Sequence, residues 1–229
     1  MKARLLESRE IAPAVRHFVF DVPELETIAF TPGQFVSLHA PVHGQDITRA
    51  YSIASPPAGN RFELCLNLVD DGHLSPYLFQ MRSGEMIEMQ GPLGTFGFRE
   101  PTRDSILVAT GTGIAPFRAM LRYKLLADVT HQFTLIFGVR HEYGILYRDE
   151  FEELVRKHSN FRFWPSLTRP EPAWTGRTGR VQSHILEAIG DLRDFDIYLC
   201  GLRIMVDDAR KMLKSIGLDR KHIVSEKYD

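Results

Sequence analysis

The feature that most constrains this chain is a change of rhythm near residue 100. From Lys2 to Phe98 the apolar residues fall in short alternating runs: ARLLESREI, VRHFVFDV, QFVSLHA, RFELCLNLV and EMIEMQ. Turn formers separate them, PG at 32–33, PPAGN at 56–60 and SGE at 83–85. Period-two alternation over many short segments specifies an antiparallel sandwich or barrel. LSPYLFQM, after Gly72, is the helical exception. After Thr102 the pattern becomes SILVAT, IAPFRAMLRYKLLA, QFTLIFG, YRDEFEELVRKH, FRFWPSL, VQSHILEAI, DIYLC and MVDDARKMLKSI. Buried strands alternating with helices specify a parallel sheet covered on both faces. Two domains are therefore expected, 1–100 and 101–229, meeting near residues 98–104.

A chain of 229 residues has ample length for two such cores. Lys plus Arg number 28 against 29 Asp plus Glu, a formal net charge of −1, so no global field draws the chain to nucleic acid or an anionic membrane. Any anion site must be local. Cys65 and Cys200 are the two cysteines, which excludes a disulfide scaffold, a zinc ribbon or an iron–sulfur cluster held by four thiolates of this chain. No metal site is expected. MKARLLESREIAPAVRHF lacks the apolar centre and cleavage site of a signal peptide, and no apolar run approaches a membrane span. A cytoplasmic protein without membrane insertion is the expectation.

The sharpest local signal is VATGTGIAPF, residues 108–117, an apolar strand running into Gly-x-Gly-x-x-Pro and then a helix. Gly111 and Gly113 remove side chains where backbone amides approach a pyrophosphate, and a helix N-terminus adds unpaired N–H groups and a positive dipole end. Pro116 stands where the usual fingerprint has its third glycine, tolerated because the first helical turn does not need its N–H. The same residues also suit an ordinary tight turn. A second candidate is DGHLSPYL, residues 71–78, with Ser75 as N-cap and Pro76 at the first helical position. Capping alone would account for that pair.

These segments, taken in order, resemble the ferredoxin–NADP reductase superfamily. The resemblance runs through PGQFVSL (32–38), RAYSIAS (49–55), GHLS (72–75), GPLGTF (91–96), ATGTGIAPF (109–117), FGVR (137–140), SLTRP (166–170), WTGRTGRV (174–181), YLCGL (198–202) and EKYD (226–229). It implies an antiparallel Greek-key β-barrel that binds FAD, followed by an α/β parallel-sheet domain that binds NAD(P). It further implies that Arg49 pairs with the FAD pyrophosphate, Tyr51 lies along the flavin, Ser52 reaches its reactive edge, and Ala50 belongs to the same strand. Gly72, Leu74 and Ser75 would form a second flavin phosphate loop, and backbone from Leu66 through Asn67 to Leu68 would bond the isoalloxazine. Strand alternation places Arg49, Tyr51 and Ile53 on one face and Ser52 on the other. The strand is therefore expected to end or twist near Ser52.

For the second domain the resemblance implies that Thr110, Gly111, Thr112, Gly113 and Pro116 cradle the nicotinamide nucleotide. Cys200 and Gly201 would face the nicotinamide, although a small buried hydrophobe is the alternative for Cys200. Tyr228 would lie over the flavin, the alternative being a frayed terminus. Arg140, Arg169, Arg177 and Arg180 make the surroundings basic, which favours NADPH, while Glu142 keeps NADH open. The implied reaction is hydride transfer between NADPH and flavin, with Ser52, Cys200 and Tyr228 at the reacting centre and single electrons passing to a ferredoxin or flavodoxin. An NAD(P)H:flavin reductase, the reductase component of an oxygenase and a non-catalytic regulatory module are the competing readings.

Overall fold

A computed structural model describes residues Met1–Tyr228 and leaves Asp229, the last residue of EKYD, outside the described residues. The chain forms two compact units. One comprises Met1–Gly97 with Ala115–Tyr123, the other Phe98–Ile114 with Lys124 onward.

The first unit carries β1 (Lys2–Ala12), β2 (Val15–Asp21), β3 (Phe35–Val42), β4 (Gln45–Ser52), β5 (Arg61–Asn67), α1 (Leu74–Gln80) and β6 (Met86–Leu93). Its six-stranded sheet has the order β4-β3-β6-β1-β2-β5, every pair antiparallel. The outer strands meet through the Ile53–Leu64 bridge and a bond from the Ala54 N–H to the Glu63 carbonyl at 2.7 Å. That closes the sheet into a Greek-key barrel, which leaves few free edges. Inward residues stack into the core, with Phe20 against Phe62 at 5.4 Å and Phe18 against Phe20 at 6.2 Å.

The second unit carries β7 (Asp104–Thr110), β8 (Phe133–Val139), α3 (Arg148–Lys157), β9 (Phe161–Leu167), β10 (Arg177–Thr178), α4 (Gln182–Ile189), β11 (Phe195–Leu202), α5 (Arg203–Ser215) and β12 (Ile223–Tyr228). Helix α2 (Ile114–Lys124) follows β7 in the chain. The sheet order is β10-β9-β8-β7-β11-β12, all parallel. Strands β7, β8 and β11 are buried almost without interruption, as a sheet covered on both faces requires. The chain steps outward from β7 to β10 and then returns to β11 on β7's other side. The topological switch point, where open α/β sheets take ligands, thus falls between β7 and β11. No helix among the described residues is long and apolar enough to cross a membrane.

A charge cluster is buried inside the first unit. Arg118, on α2 and 5% exposed, donates to the Ala54 carbonyl at 2.7 Å and to Glu63 Oε2 at 2.5 Å. Arg122 Nη1 and His17 Nε2 lie 3.9 and 3.7 Å from that same carboxylate oxygen. Burial pushes the His17 imidazole down to about 4, with Glu63 opposing and Arg118, Arg9 and Arg122 reinforcing the shift. His17 is therefore neutral in the folded protein near neutral pH. Because its folded value lies below the unfolded value of 6.5, the unfolded chain binds the extra proton first as pH falls. The contribution is complete above pH 6.5, declines through the interval and is gone below about pH 4, a loss of about 3 kcal/mol. Urea unfolding at stepped pH should show this slope, and His17→Gln should flatten it; an unchanged slope in the variant would assign the acid sensitivity elsewhere.

Candidate functional site

In the first unit the Arg49–Ser52 segment closes β4. Thr48, Arg49 and Ala50 are successive residues of one strand, yet all three are exposed. A strand open on both faces is a shelf rather than core or ordinary surface sheet. The Arg49 guanidinium donates to the Thr48 carbonyl at 2.8 Å and stays in solvent. Tyr51 is half-buried against the barrel core. Burial pushes its phenol up to about 12, with Arg49 opposing, so it remains a neutral donor with an apolar ring. Strand β4 ends at Ser52, which pairs with Phe35. Ser52 through Ser55 are all buried, so the alternation that would turn Ser52 to the face opposite Arg49 and Tyr51 stops here, as expected. Exposed guanidinium, half-buried ring and buried hydroxyl fit the phosphate, flat and polar portions of a flavin nucleotide.

The neighbouring loop is organised differently from the local rule. Helix α1 starts at Leu74 with His73 in the N-cap position, so Ser75 is inside the helix rather than its cap. Its hydroxyl instead accepts the Val69 N–H at 3.0 Å. The Gly72 N–H donates to the Val69 carbonyl at 2.8 Å, and a Cβ on Gly72 would lie 2.9 Å from that same oxygen. Gly72 and Ser75 thus fold one turn back on Val69, and Leu74 is buried beside them. Along β5, Leu66 is buried and Asn67 is exposed. The Leu68 N–H is bonded to the Ala14 carbonyl at 2.7 Å.

In the second unit, Thr110 ends β7 at the switch point and Gly111–Gly113 form a single 3-10 turn leading into α2. A Cβ on Gly113 would lie 2.4 Å from the Cys200 carbonyl oxygen, and one on Gly201 would lie 2.4 Å from Thr110 Oγ1. Two backbones therefore touch where strands β7 and β11 end, and only glycine permits it. Gly111, at φ +53°, has nothing within 4 Å of its Cβ position. That open approach beside a helix start suits a pyrophosphate. Thr112 is half-buried, and Pro116 sits buried in the first turn of α2.

Cys200 is wholly buried. Burial pushes its thiol well above the ordinary range, Glu226 adds to the effect, and a side-chain hydrogen bond with Tyr228 opposes it. A protonated thiol is a small packing group and weak hydrogen-bond partner, not a nucleophile. Tyr228 does not fray: it is the last residue of β12, paired with Leu202. The structure therefore joins two residues that the sequence placed in separate motifs.

The four arginines divide into different settings. The Arg169 N–H donates to the Arg140 carbonyl at 2.8 Å, extending the β8–β9 pairing so that the two residues lie side by side. Both are exposed. Arg177 is engaged, with Nη1 and Nη2 at 2.5 and 2.7 Å from Glu187 and the guanidinium 3.8 Å over the Trp164 ring. Arg180 is exposed just before α4. Ser166 Oγ donates to the Gly179 carbonyl at 2.9 Å, while His184 Nε2 meets Ser166 Oγ at 2.9 Å and the Thr178 carbonyl at 3.1 Å. Since a carbonyl only accepts, His184 Nε2 carries the proton and pins this arginine-bearing loop.

Sequence reasoning missed the Arg118–Glu63–His17 cluster. Its one signal was an arginine between Phe117 and Ala119 in an otherwise apolar helical stretch.

A strand end suited to a flavin nucleotide in one unit and a glycine turn suited to a dinucleotide at the switch point of the other fit a two-domain flavin and nicotinamide-nucleotide oxidoreductase. Family profiles described as Oxidoreductase FAD-binding domain and Oxidoreductase NAD-binding domain match residues 2–98 and 107–211. The chain is 38% identical to Ferredoxin--NADP reductase B of Sorangium cellulosum over 238 residues, covering 100% of this chain and 97% of that protein. It is 30% identical to the Toluate 1,2-dioxygenase electron transfer component of Pseudomonas putida, covering 99% of this chain and 67% of the relative. Other curated relatives are longer, the chain spanning 61% of Protein RfbI from Salmonella typhimurium. A solved ferredoxin NADP+ reductase from Neisseria gonorrhoeae, with bound FAD and NADP, superposes with TM-score 0.83 at 25% identity, covering 99% of this chain and 98% of the other. The chain belongs to the ferredoxin–NADP reductase superfamily, and its cofactors are FAD and a nicotinamide nucleotide.

The Thr110–Gly201 contact is directly testable. Gly201→Ala places a methyl group 2.4 Å from Thr110 Oγ1 at a φ of +135° that side chains avoid. Nucleotide affinity is expected to fall at least about tenfold, a change of about 1.4 kcal/mol, while flavin absorbance is retained. Titration calorimetry with NADP+ checks it; native affinity would show that the contact does not shape the turn.

Proposed function

We propose that this chain transfers hydride between NADPH and bound FAD and exchanges single electrons with a separate ferredoxin-type iron–sulfur protein. The observation carrying this reading is the Arg49–Ser52 shelf in a chain that spans 97% of a ferredoxin–NADP reductase. FAD supplies the conversion between paired and single electrons; the protein supplies binding and orientation. Arg49 holds the flavin pyrophosphate, Ala50 and Tyr51 line the flavin, and Ser52 offers its hydroxyl at the reactive edge. Gly72, Leu74 and Ser75 shape the second phosphate contact, with Leu66–Leu68 alongside.

Thr110–Gly113 and Pro116 receive the nucleotide pyrophosphate. Cys200 and Gly201 form the wall beside the nicotinamide, with Tyr228 positioned through the Cys200 contact. Hydride transfer itself requires no protein general acid or base, which suits a thiol and a phenol both kept neutral by burial.

Arg140 and Arg169, exposed and adjacent, carry the preference for NADPH, with Arg180 nearby in sequence. Arg177 contributes through the loop it pins to Glu187. The partner must bring its own iron, because this chain has two cysteines. A flavodoxin is the second carrier consistent with one-electron exchange. The 30% identity to a dioxygenase electron transfer component favours one further reading, service to an oxygenase. Two buried thiols rather than a disulfide support a cytoplasmic setting.

The purified protein is expected to be yellow, to bleach on anaerobic NADPH addition and to recover colour with a ferredoxin. Bleaching followed by reoxidation only with free flavin would instead identify a flavin reductase, and no bleaching a non-catalytic module. Ser52→Ala should slow stopped-flow flavin reduction by about tenfold, about 1.4 kcal/mol of transition-state stabilisation, with FAD still bound; an unchanged rate would remove Ser52 from the reacting centre. Arg169→Ala should lower kcat/KM for NADPH by about tenfold through loss of one charge-assisted phosphate bond. Its effect on NADH should be slight, and an equal loss for both nucleotides would refute the phosphate role.

A further inference from the structure

We infer that Arg148 sets the nucleotide preference of this site by withdrawing Glu142 from it, an inference that rests on the nucleotide reading given above. Strand β8 ends at Val139, and Glu142 opens a one-turn 3-10 helix, Glu142–Gly144, just beyond it. An acid following the second strand of a dinucleotide fold is suited to the ribose hydroxyls of NAD. The same carboxylate repels the additional phosphate of NADP. Left in solvent, Glu142 would work against Arg140 two residues earlier.

Here that carboxylate is held elsewhere. Arg148 Nη1 lies 2.5 Å from Glu142 Oε1. Arg148 is itself fixed on two other sides, with Nε 2.7 Å from Glu152 Oε1 one helical turn along α3 and its guanidinium 5.9 Å from the Trp174 ring centre. Trp174 is anchored in turn, its indole N–H donating to the Arg177 carbonyl at 2.9 Å. The arrangement therefore connects the acid after β8 to the loop bearing Arg177. His141, between Arg140 and Glu142, stacks on Tyr143 at 5.2 Å and lies 3.8 Å from Glu171, so the turn carrying Glu142 is packed rather than loose. With Glu142 engaged, the adjacent and exposed Arg140 and Arg169 have no competing free acid in this turn.

The Arg148 and Glu142 side chains are each 40% exposed, so the effect is that of a partly screened ion pair. Calorimetric titration of the FAD-loaded protein with NAD+ and NADP+ separates the possibilities. Arg148→Met should tighten NAD+ binding and weaken NADP+ binding, each by about fivefold. Adding Glu142→Gln to that variant should abolish both changes, because the released acid is their cause. If Arg148→Met loses its flavin absorbance and fails to fold, Arg148→Lys keeps the charge but not the guanidinium fork and should shift the ratio in the same direction by less. A native affinity ratio in the folded Arg148 variant, or a shift that survives Glu142→Gln, would overturn the role of Arg148 alone. Absence of NAD+ and NADP+ binding in the native protein would overturn the nucleotide reading and this inference together.

Discussion

The contact on which the second unit depends is the backbone-to-backbone approach where β7 and β11 end. Gly113 faces the Cys200 carbonyl and Gly201 faces Thr110, each at a distance that excludes a side chain. The Leu202 N–H then reaches Thr110 Oγ1 at 3.3 Å, fixing the point from which α5 starts at Arg203. Helix α5 leads to β12, whose register with β11 sets Tyr228 opposite Leu202. One close approach thus shapes the Gly111–Gly113 turn, starts a helix and sets which aromatic ring meets Cys200.

Much of this was legible in the sequence because it is encoded locally. Alternation with period two marked the barrel strands, and the switch to strand–helix alternation marked the parallel sheet. Strands β10 and β12 were not anticipated for a physical reason. RT is too short to carry a period, and IVSEKY is stable only as the outer rung of a ladder on β11. Ser75 shows a local rule losing to a neighbour: Ser-Pro reads as a helix start, yet the Val69 N–H captures the hydroxyl and the helix begins two residues earlier than that rule places it, at Leu74. Arg118 is the opposite case. Its position in an apolar helix was visible, but its partner Glu63 lies 55 residues away in sequence and no spacing rule links them.

Burial governs the charged groups of the first unit as strongly as pairing does. Arg118 bonds a carboxylate and a backbone carbonyl at once, so its desolvation is offset by two acceptors rather than one. The carbonyl belongs to Ala54, two residues beyond Ser52, and the Ala54 N–H bonds Glu63. Glu63 also donates its own N–H to Ser55 Oγ at 3.1 Å. The segment that follows Ser52 is therefore held from its carbonyl, its N–H and a side chain. A strand end with all three fixed can present Ser52 in one orientation, which backbone alternation alone would not supply.

The two units also share a division between neutral and charged groups. Tyr51 and Cys200 are kept protonated chiefly by burial, whereas Arg49, Arg140 and Arg169 remain exposed. Groups intended to exchange protons during a reaction would need values near neutrality, and burial moves both Tyr51 and Cys200 away from it. Exposed guanidiniums suit the complementary task in the function proposed above, since an arginine loses no proton in meeting a phosphate. Groups that stay neutral and cations that stay charged throughout are what hydride transfer asks of a protein. The electron pair travels with its hydrogen, and the protein has only to hold donor and acceptor in register.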